Sequence, residues 1–277
     1  MTNSCGGFFY AAIPYFYAMI LAAPGDLNST PKRIISLVPS QTELLYSLGL
    51  EEETIAITKF CIHPKKWFKE KTRIGGTKNV QIDKIKALKP DLIIANKEEN
   101  VKEQVEMLVK DHPVWVTDVN DLTDAYQMIS DIGILTNKKT TAEALVQQIK
   151  IEFDALFKGS PATKTISVIY LIWKDPYMTI GGDTFISAMM EAAGLINVFN
   201  NQKRYPEITI EQLAASDCQL VLLSSEPYPF KQKHIEELEK QLPGKKIILA
   251  DGEMFSWYGS RLLLAAPYLK QLRNAIF

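Results

Sequence analysis

The chain has 277 residues, of which 47% are hydrophobic and 23% charged, enough for a sizeable core and too apolar for disorder. Its 31 basic and 32 acidic residues nearly cancel and neither sign gathers into a long block, which excludes the electrostatic footprint of a nucleic-acid-binding protein. Cys5, Cys61 and Cys218 are odd in number and far apart, which argues against a disulfide framework and against metal-finger spacing.

The first elements are ambiguous. Residues 8–23 are apolar apart from Pro14 and three tyrosines and end in Leu21-Ala22-Ala23, as a signal h-region would, but no Lys or Arg precedes them and Pro24 follows. Sixteen residues fall short of the roughly 20 a helical membrane span needs. Residues 1–30 are therefore a leader or an extension. Cys5 precedes the apolar run, where no lipoprotein signal places its cysteine.

From residue 34 the chain alternates strand and helix. IISLV (34–38) reads as a buried strand, and Ser40-Gln41-Thr42-Glu43 as a capping box opening a helix over 41–47 that Gly49 stops. A strand follows at 54–58, then a loop over 60–78, a helix at 82–88 and a strand at 92–95. Ala142, Leu145, Val146, Ile149, Phe153 and Leu156 form one apolar stripe at helical spacing, which predicts a single long helix over 122–157. Gly159-Ser160-Pro161 ends it, and a strand resumes at 166–172.

The second half repeats the first. IDKIKALKPDLIIA (82–95) matches IEQLAASDCQLVLL (210–223) position by position, and the helix before Gly49-Leu50 matches the one before Gly194-Leu195. The expected architecture is α/β: a lobe over 31–120, a linking backbone helix over 121–160 and a second lobe over 161–277. Two Rossmann-like lobes then face each other, and because ligands sit beyond the carboxyl ends of parallel strands, both sets of loops border one cleft.

RIISLVPSQTELLYSLGL (33–50), the loop ending His63-Pro64, the 82–95 segment, TIGGDTFISAMMEAAGLINVF (179–199), TIEQLA (209–214) and SRLLLAAPYL (260–269) together resemble the helical-backbone class of ABC-importer substrate-binding proteins. Members of that class carry cobalamin, haem or ferric siderophores. The resemblance implies a periplasmic or cell-envelope monomer that docks on a dimeric permease. It implies a metal chelate as ligand, no intrinsic cofactor and no catalysis.

It also assigns roles. Asp83 and Glu211, at matching places near two helix starts, become permease-docking acids, with simple helix capping as the alternative. Pro39, Ser40 and Gln41 end the first strand, where helix amides can face a ligand. Phe60 matches a ring-packing aromatic, while Thr77 and Asn96 stand where cobalamin-binding members place tryptophans. Tyr205 keeps an aromatic, Glu253 falls where an acid is expected and Trp257 replaces an arginine, so a more polar or smaller chelate than cobalamin is open. Trp173, Tyr177 and Tyr228 lie in loops after strands, and aromatic faces suit a flat macrocycle. Glu226, Glu253 and Arg261 are the charged candidates, Arg261 because guanidinium pairs bidentately with carboxylates.

Cys61 and His63 are weak candidates for a metal, since one C-x-H pair lacks the three or four ligands a protein-held ion needs. His63 otherwise donates to a ligand or stiffens its turn; His112 and His234 read as surface residues. Gly181-Gly182-Asp183 reads as a tight turn with Asp183 as N-cap. No G-x-S-x-G, P-loop, G-x-G-x-x-G or H-E-x-x-H occurs. The alternatives are an intracellular chelatase-like tetrapyrrole enzyme with His63 and Glu253 as proton acceptors, or a stand-alone chelate-sequestering protein.

Overall fold

The computed structural model describes residues 20–156 and 165–276. Of the expected leader, most lies outside the described residues, as does Cys5. Ile20 and Leu21 are described: they run parallel to residue Val114 and bond to it through Leu21 N at 3.0 Å, extending a sheet edge.

Two separate parallel sheets form. In the N-terminal lobe the strands are β1 (Ile34–Ser36), β2 (Thr54–Ile57), β3 (Thr72–Arg73), β6 (Leu92–Asn96) and β7 (Val114–Thr117), in the order β3-β2-β1-β6-β7. In the C-terminal lobe they are β8 (Ile166–Leu171), β10 (Leu195–Asn197), β12 (Leu220–Ser224) and β13 (Lys246–Ala250), in the order β10-β8-β12-β13. Superposing β1 on β8 makes β2-β1-β6-β7 equivalent to β10-β8-β12-β13, so the duplication read in the sequence is a duplication of topology. Strands β6 and β12 are buried along their whole length, as strands covered on both faces must be, and their apolar runs are what made the repeat visible. Two short antiparallel pairs, β4 (Gly75–Gly76) with β5 (Asn79–Val80) and β9 (Tyr177–Met178) with β11 (Glu207–Ile208), complete the strands.

The segment expected to be one helix is two. Helix α5 (Leu122–Leu135) is followed by α6 (Lys139–Asp154), and they pack side by side. The break is chemical: Asn137 takes φ +57°, Thr136 Oγ1 donates back to the Ile132 carbonyl at 2.6 Å, and Lys138 N bonds the Gly133 carbonyl at 2.7 Å, closing the helix end. Gly133 allows the two helices to touch, since a Cβ there would lie 2.4 Å from the Ala142 Cβ. Gly133→Ala is therefore expected to lower the urea unfolding free energy by about 1–3 kcal/mol, and Ala142→Gly in the same chain to recover most of it.

The lobes are not loosely tethered. One apolar core runs from β1 and α1 (Pro39–Ser47) through α5 and α6 to β8, β12, α7 (Phe185–Ala192) and α11 (Leu262–Ile276), so the inner faces of both sheets share it. Each outer face has its own cluster.

Local expectations also change. Helix α1 starts at Pro39 with Val38 as N-cap and no side-chain cap, so Ser40 and Glu43 form no capping box. The expected loop over 60–78 holds α2 (Lys65–Glu70), β3 and β4. At Gly181-Gly182 the N-cap of α7 is Thr184, whose Oγ1 accepts from Ser187 N at 3.3 Å, whereas Asp183 accepts from Arg204 N at 2.5 Å. The glycines are needed there because a Cβ on either would meet the backbone of Asn200 or Gln202 within 2.5 Å.

Candidate functional site

Loops beyond the carboxyl ends of β2, β6, β12 and β13 meet between the lobes, and charged side chains join them. Arg261, 5% exposed, reaches from the C-terminal lobe to Glu43 on α1, donating from Nε at 2.8 Å and Nη2 at 2.7 Å. Its Nη1 donates to Glu253 at 2.6 Å, and Glu253 in turn lies 3.2 Å from His63 Nε2 of the N-terminal lobe. Four groups thus form one alternating chain, Glu43, Arg261, Glu253 and His63, that crosses the lobe boundary twice.

Trp257 organises this chain. Its indole lies under the Arg261 guanidinium at 4.8 Å, meets the His63 ring edge-on at 5.5 Å and donates from Nε1 to Glu226 at 2.9 Å. Ser256 Oγ donates to the same Glu226 oxygen at 2.6 Å. A second crossing is made by Tyr205, whose hydroxyl donates to Glu98 at 3.2 Å, and by Arg204, which pairs with Glu98.

Glu98 and Glu226 occupy the same place in the two copies, two residues beyond β6 and β12. Each turn is held by the side chain ending its strand: Asn96 Oδ1 accepts from Glu98 N at 2.8 Å, and Ser224 Oγ from Glu226 N at 3.3 Å. Burial, then the Glu253 carboxylate, pushes the Glu226 carboxyl above its usual range, against the Ser256 and Trp257 hydrogen bonds. Burial likewise raises Glu99 and the Tyr205 and Tyr258 phenols. A carboxyl whose folded pKa exceeds its unfolded value takes up protons on folding, so its contribution is most favourable at acid pH and declines as pH rises through the carboxylate range. Glu226→Gln keeps the acceptor for Ser256 and Trp257 and removes the charge; thermal unfolding at neutral pH is expected to shift upward and its decline above acid pH to flatten.

The structure therefore gathers His63, Glu226, Glu253, Trp257 and Arg261, with Tyr205 alongside. Phe60, 50% exposed, packs on Gly76 at the end of the same loop as His63. Ser40 and Gln41 are buried in the first turn of α1, where Gln41 Nε2 donates to Thr117 Oγ1 at 2.5 Å; Pro39 is half-buried.

Other named residues lie elsewhere or are already engaged. Asn96 is buried and donates to the Thr117 carbonyl and hydroxyl at 3.1 Å while its Oδ1 holds the Glu98 turn. Thr77 is buried, its carbonyl accepting from Asn100. Trp173 and Tyr228 stack edge-on at 5.7 Å, Tyr228 touches His234 of α9 (Gln232–Gln241), and Tyr177 packs on the same outer cluster. Cys61 is fully buried between the Thr42 and Thr58 hydroxyls, each 3.1 Å away, and burial raises its thiol pKa. Among the described residues no group of three His, Cys, Asp or Glu could hold an ion. His112 and His234 are buried, not surface residues: the first faces the Pro90 carbonyl at 3.1 Å, the second accepts from Lys231 N at 2.8 Å. An open pocket of about 400 Å³ lies between the start of α5 and the C-terminal lobe, lined by Asn120, Asp121, Asp183, Glu191 and the same Arg204 that pairs with Glu98.

Asp83 and Glu211 stand at the second position of two equivalent six-residue helices, α3 (Ile82–Ala87) and α8 (Ile210–Ala215), both exposed. The Thr209 hydroxyl lowers the Glu211 pKa.

The sequence matches the periplasmic binding protein family over residues 34–244. The chain belongs to the periplasmic binding protein family. It is 25% identical over 214 residues to a vitamin B12-binding protein of Vibrio parahaemolyticus, covering 76% of each chain. It is 30% identical over 196 residues to YvrC, an ABC transporter substrate-binding lipoprotein of Bacillus subtilis whose function is uncharacterised, covering 68% of this chain and 62% of that one. In fold it resembles a periplasmic haem-binding protein from Pseudomonas aeruginosa, with a TM-score of 0.74 and 20% identity over 87% of this chain and 92% of that one. This is a family of binding proteins, and the two-lobed α/β fold is the one found in the solved structures that the chain resembles. The His63 and Glu253 named for proton transfer in the enzymatic alternative are paired with each other.

Proposed function

We propose that this chain is the substrate-binding protein of an ABC importer, which captures a metal chelate of the corrinoid, haem or siderophore kind between its lobes and delivers it to a permease in the cell envelope. The observation that carries this reading is the duplicated lobe: loops from equivalent strand ends confront each other, and one acid per lobe, Asp83 and Glu211, stands at the same helix position. A two-fold permease suits two equivalent acids. The protein acts as a monomer and performs no catalysis.

The ligand contacts are drawn from His63, Phe60, Tyr205, Glu226, Glu253 and Trp257 at the seam, with Trp173, Tyr177 and Tyr228 in the segments that follow β8 and β12. Both arginines at the seam already hold carboxylates, Arg204 with Glu98 and Arg261 with Glu43 and Glu253. Carboxyls outnumber arginines at the seam, Glu43, Glu98, Glu226 and Glu253 against Arg204 and Arg261. Such a site favours a chelate presenting amide or other N–H donors, as a corrin does, over one crowded with carboxylates, which would meet like charge.

Ligand capture from cell extract by the full chain, read by absorbance and mass spectrometry, tests the reading. A retained metal chelate is expected. Titration then ranks classes: cobalamin or a neutral hydroxamate chelate is expected to bind more tightly than a carboxylate-rich ferric siderophore. The reverse order would overturn the assignment of ligand class, and failure to bind any metal chelate would overturn the function.

A further inference from the structure

The segment 59–73 joins β2 to β3 and carries chemistry that ligand capture does not use. It holds Lys59, Lys65, Lys66, Lys69, Lys71 and Arg73 against one acid, Glu70, in a chain whose formal net charge is −1. Three exposed apolar side chains accompany them: Ile62 at 41%, Phe68 at 36% and, from α1, Tyr46 at 42%. On α2, Lys65, Phe68 and Lys69 sit at positions i, i+3 and i+4, hence on one face, while buried Trp67 anchors the helix from the other side and meets Tyr46 edge-on at 5.3 Å. The Arg73 guanidinium lies 4.4 Å from the Phe68 ring and the Lys71 ammonium 5.1 Å from that of Trp67. Lys66 is held by Glu51, but no ion pair engages Lys65 or Lys69 among the described residues.

We infer that the face formed by α2 and its flanking turns is a contact surface for an anionic lipid bilayer, with Phe68 and Ile62 entering the headgroup region and Lys65, Lys69 and Arg73 facing its phosphates. Aromatic rings interleaved with cations are suited to that layer, where ring and charge are both accommodated. Charge complementarity gives the occupant its sign. The topology argues against the permease: β3 has no equivalent in the order β10-β8-β12-β13, so the patch belongs to one lobe only, whereas a two-fold partner calls for matched surfaces on both. That exclusion rests on the proposed docking; the lipid chemistry does not. The same loop carries Phe60 and His63 at the seam, so bilayer contact would turn the ligand site toward the membrane.

The test is co-sedimentation of the full chain with vesicles of phosphatidylcholine alone and of equimolar phosphatidylcholine and phosphatidylglycerol. Binding to the anionic vesicles, little to the neutral ones, and release by high salt are expected. Each lysine close to an anionic surface contributes roughly fivefold in partition, so Lys65→Glu/Lys69→Glu is expected to lose at least about tenfold. Phe68→Ser is expected to lose several-fold. The two lysines are exposed, and an unchanged unfolding midpoint shows that the variant folds. Equal partition into both vesicles, parental binding by the double variant, or an effect of the variant only on reconstituted permease would each overturn the inference. Chelate titration of the unsubstituted chain run in parallel separates the two readings: no binding of that chain to anionic vesicles with intact chelate affinity sinks this one alone, and vesicle binding without chelate binding sinks the ligand-capture reading.

Discussion

Reversing both Asp83 and Glu211 to lysine is expected to cut chelate uptake in cells on the order of a hundredfold while the chelate affinity of the purified protein stays unchanged. Both carboxylates are exposed and lie at the helix starts outside the inter-lobe seam, so the substitution removes no contact from the core or from the site. Their loss does remove a favourable charge at each helix start, a small contribution at an exposed position. The effect is therefore expected on encounter and orientation with the permease. Single reversals distinguish docking from capping: if the two acids engage two subunits, each single variant retains part of the uptake, and the pair is more damaging than either. Normal uptake by the double variant would end the docking assignment and leave helix capping as the role of both residues.

The second large effect concerns stability. Arg261→Met strands Glu43 and leaves Glu253 only His63, in a seam where the Arg261, Glu43 and Glu253 side chains are 5%, 16% and 18% exposed. Removing one member of a buried ion pair strands the other charge, and about 3–5 kcal/mol of unfolding free energy is expected to be lost, read by urea denaturation at neutral pH. Arg261→Met/Glu43→Leu is expected to recover part of that loss because one stranded carboxylate goes with it. Recovery in the double variant separates stranded charge from lost packing, which the second substitution would not repair.

How much of this was legible follows from what each feature depends on. Buried parallel strands write themselves as short apolar runs, so 34–38, 92–95 and 166–172 read correctly to within a residue or two, and their recurrence revealed the duplicated lobe. The helix break at Thr136-Asn137-Lys138 stayed hidden because the apolar stripe of α6 continues the period of α5; the signal was Asn137, a residue that readily closes helices in the left-handed conformation. Glu43 could not be found from its surroundings. Its partner is 218 positions away, and locally it imitates the third residue of a capping box. Glu98 was within reach, since laying the second copy on the first sets it opposite Glu226, which was named. Asn96, named because it stands where cobalamin-binding members place a tryptophan, and Cys61, named for its residue type, are both buried with partners inside the first lobe, which no local pattern announced.

The doubled junction has a mechanical consequence. Helix α6 packs against α5 on one side and α11 on the other, so no single covalent rod acts as pivot between the halves. For the halves to swing apart, three helices would have to slide over one another and reopen a common apolar interior, a shear that close packing resists. Guest selection then falls to side-chain adjustment along the rim, and the empty and loaded forms should present nearly the same outline to whatever receives the cargo.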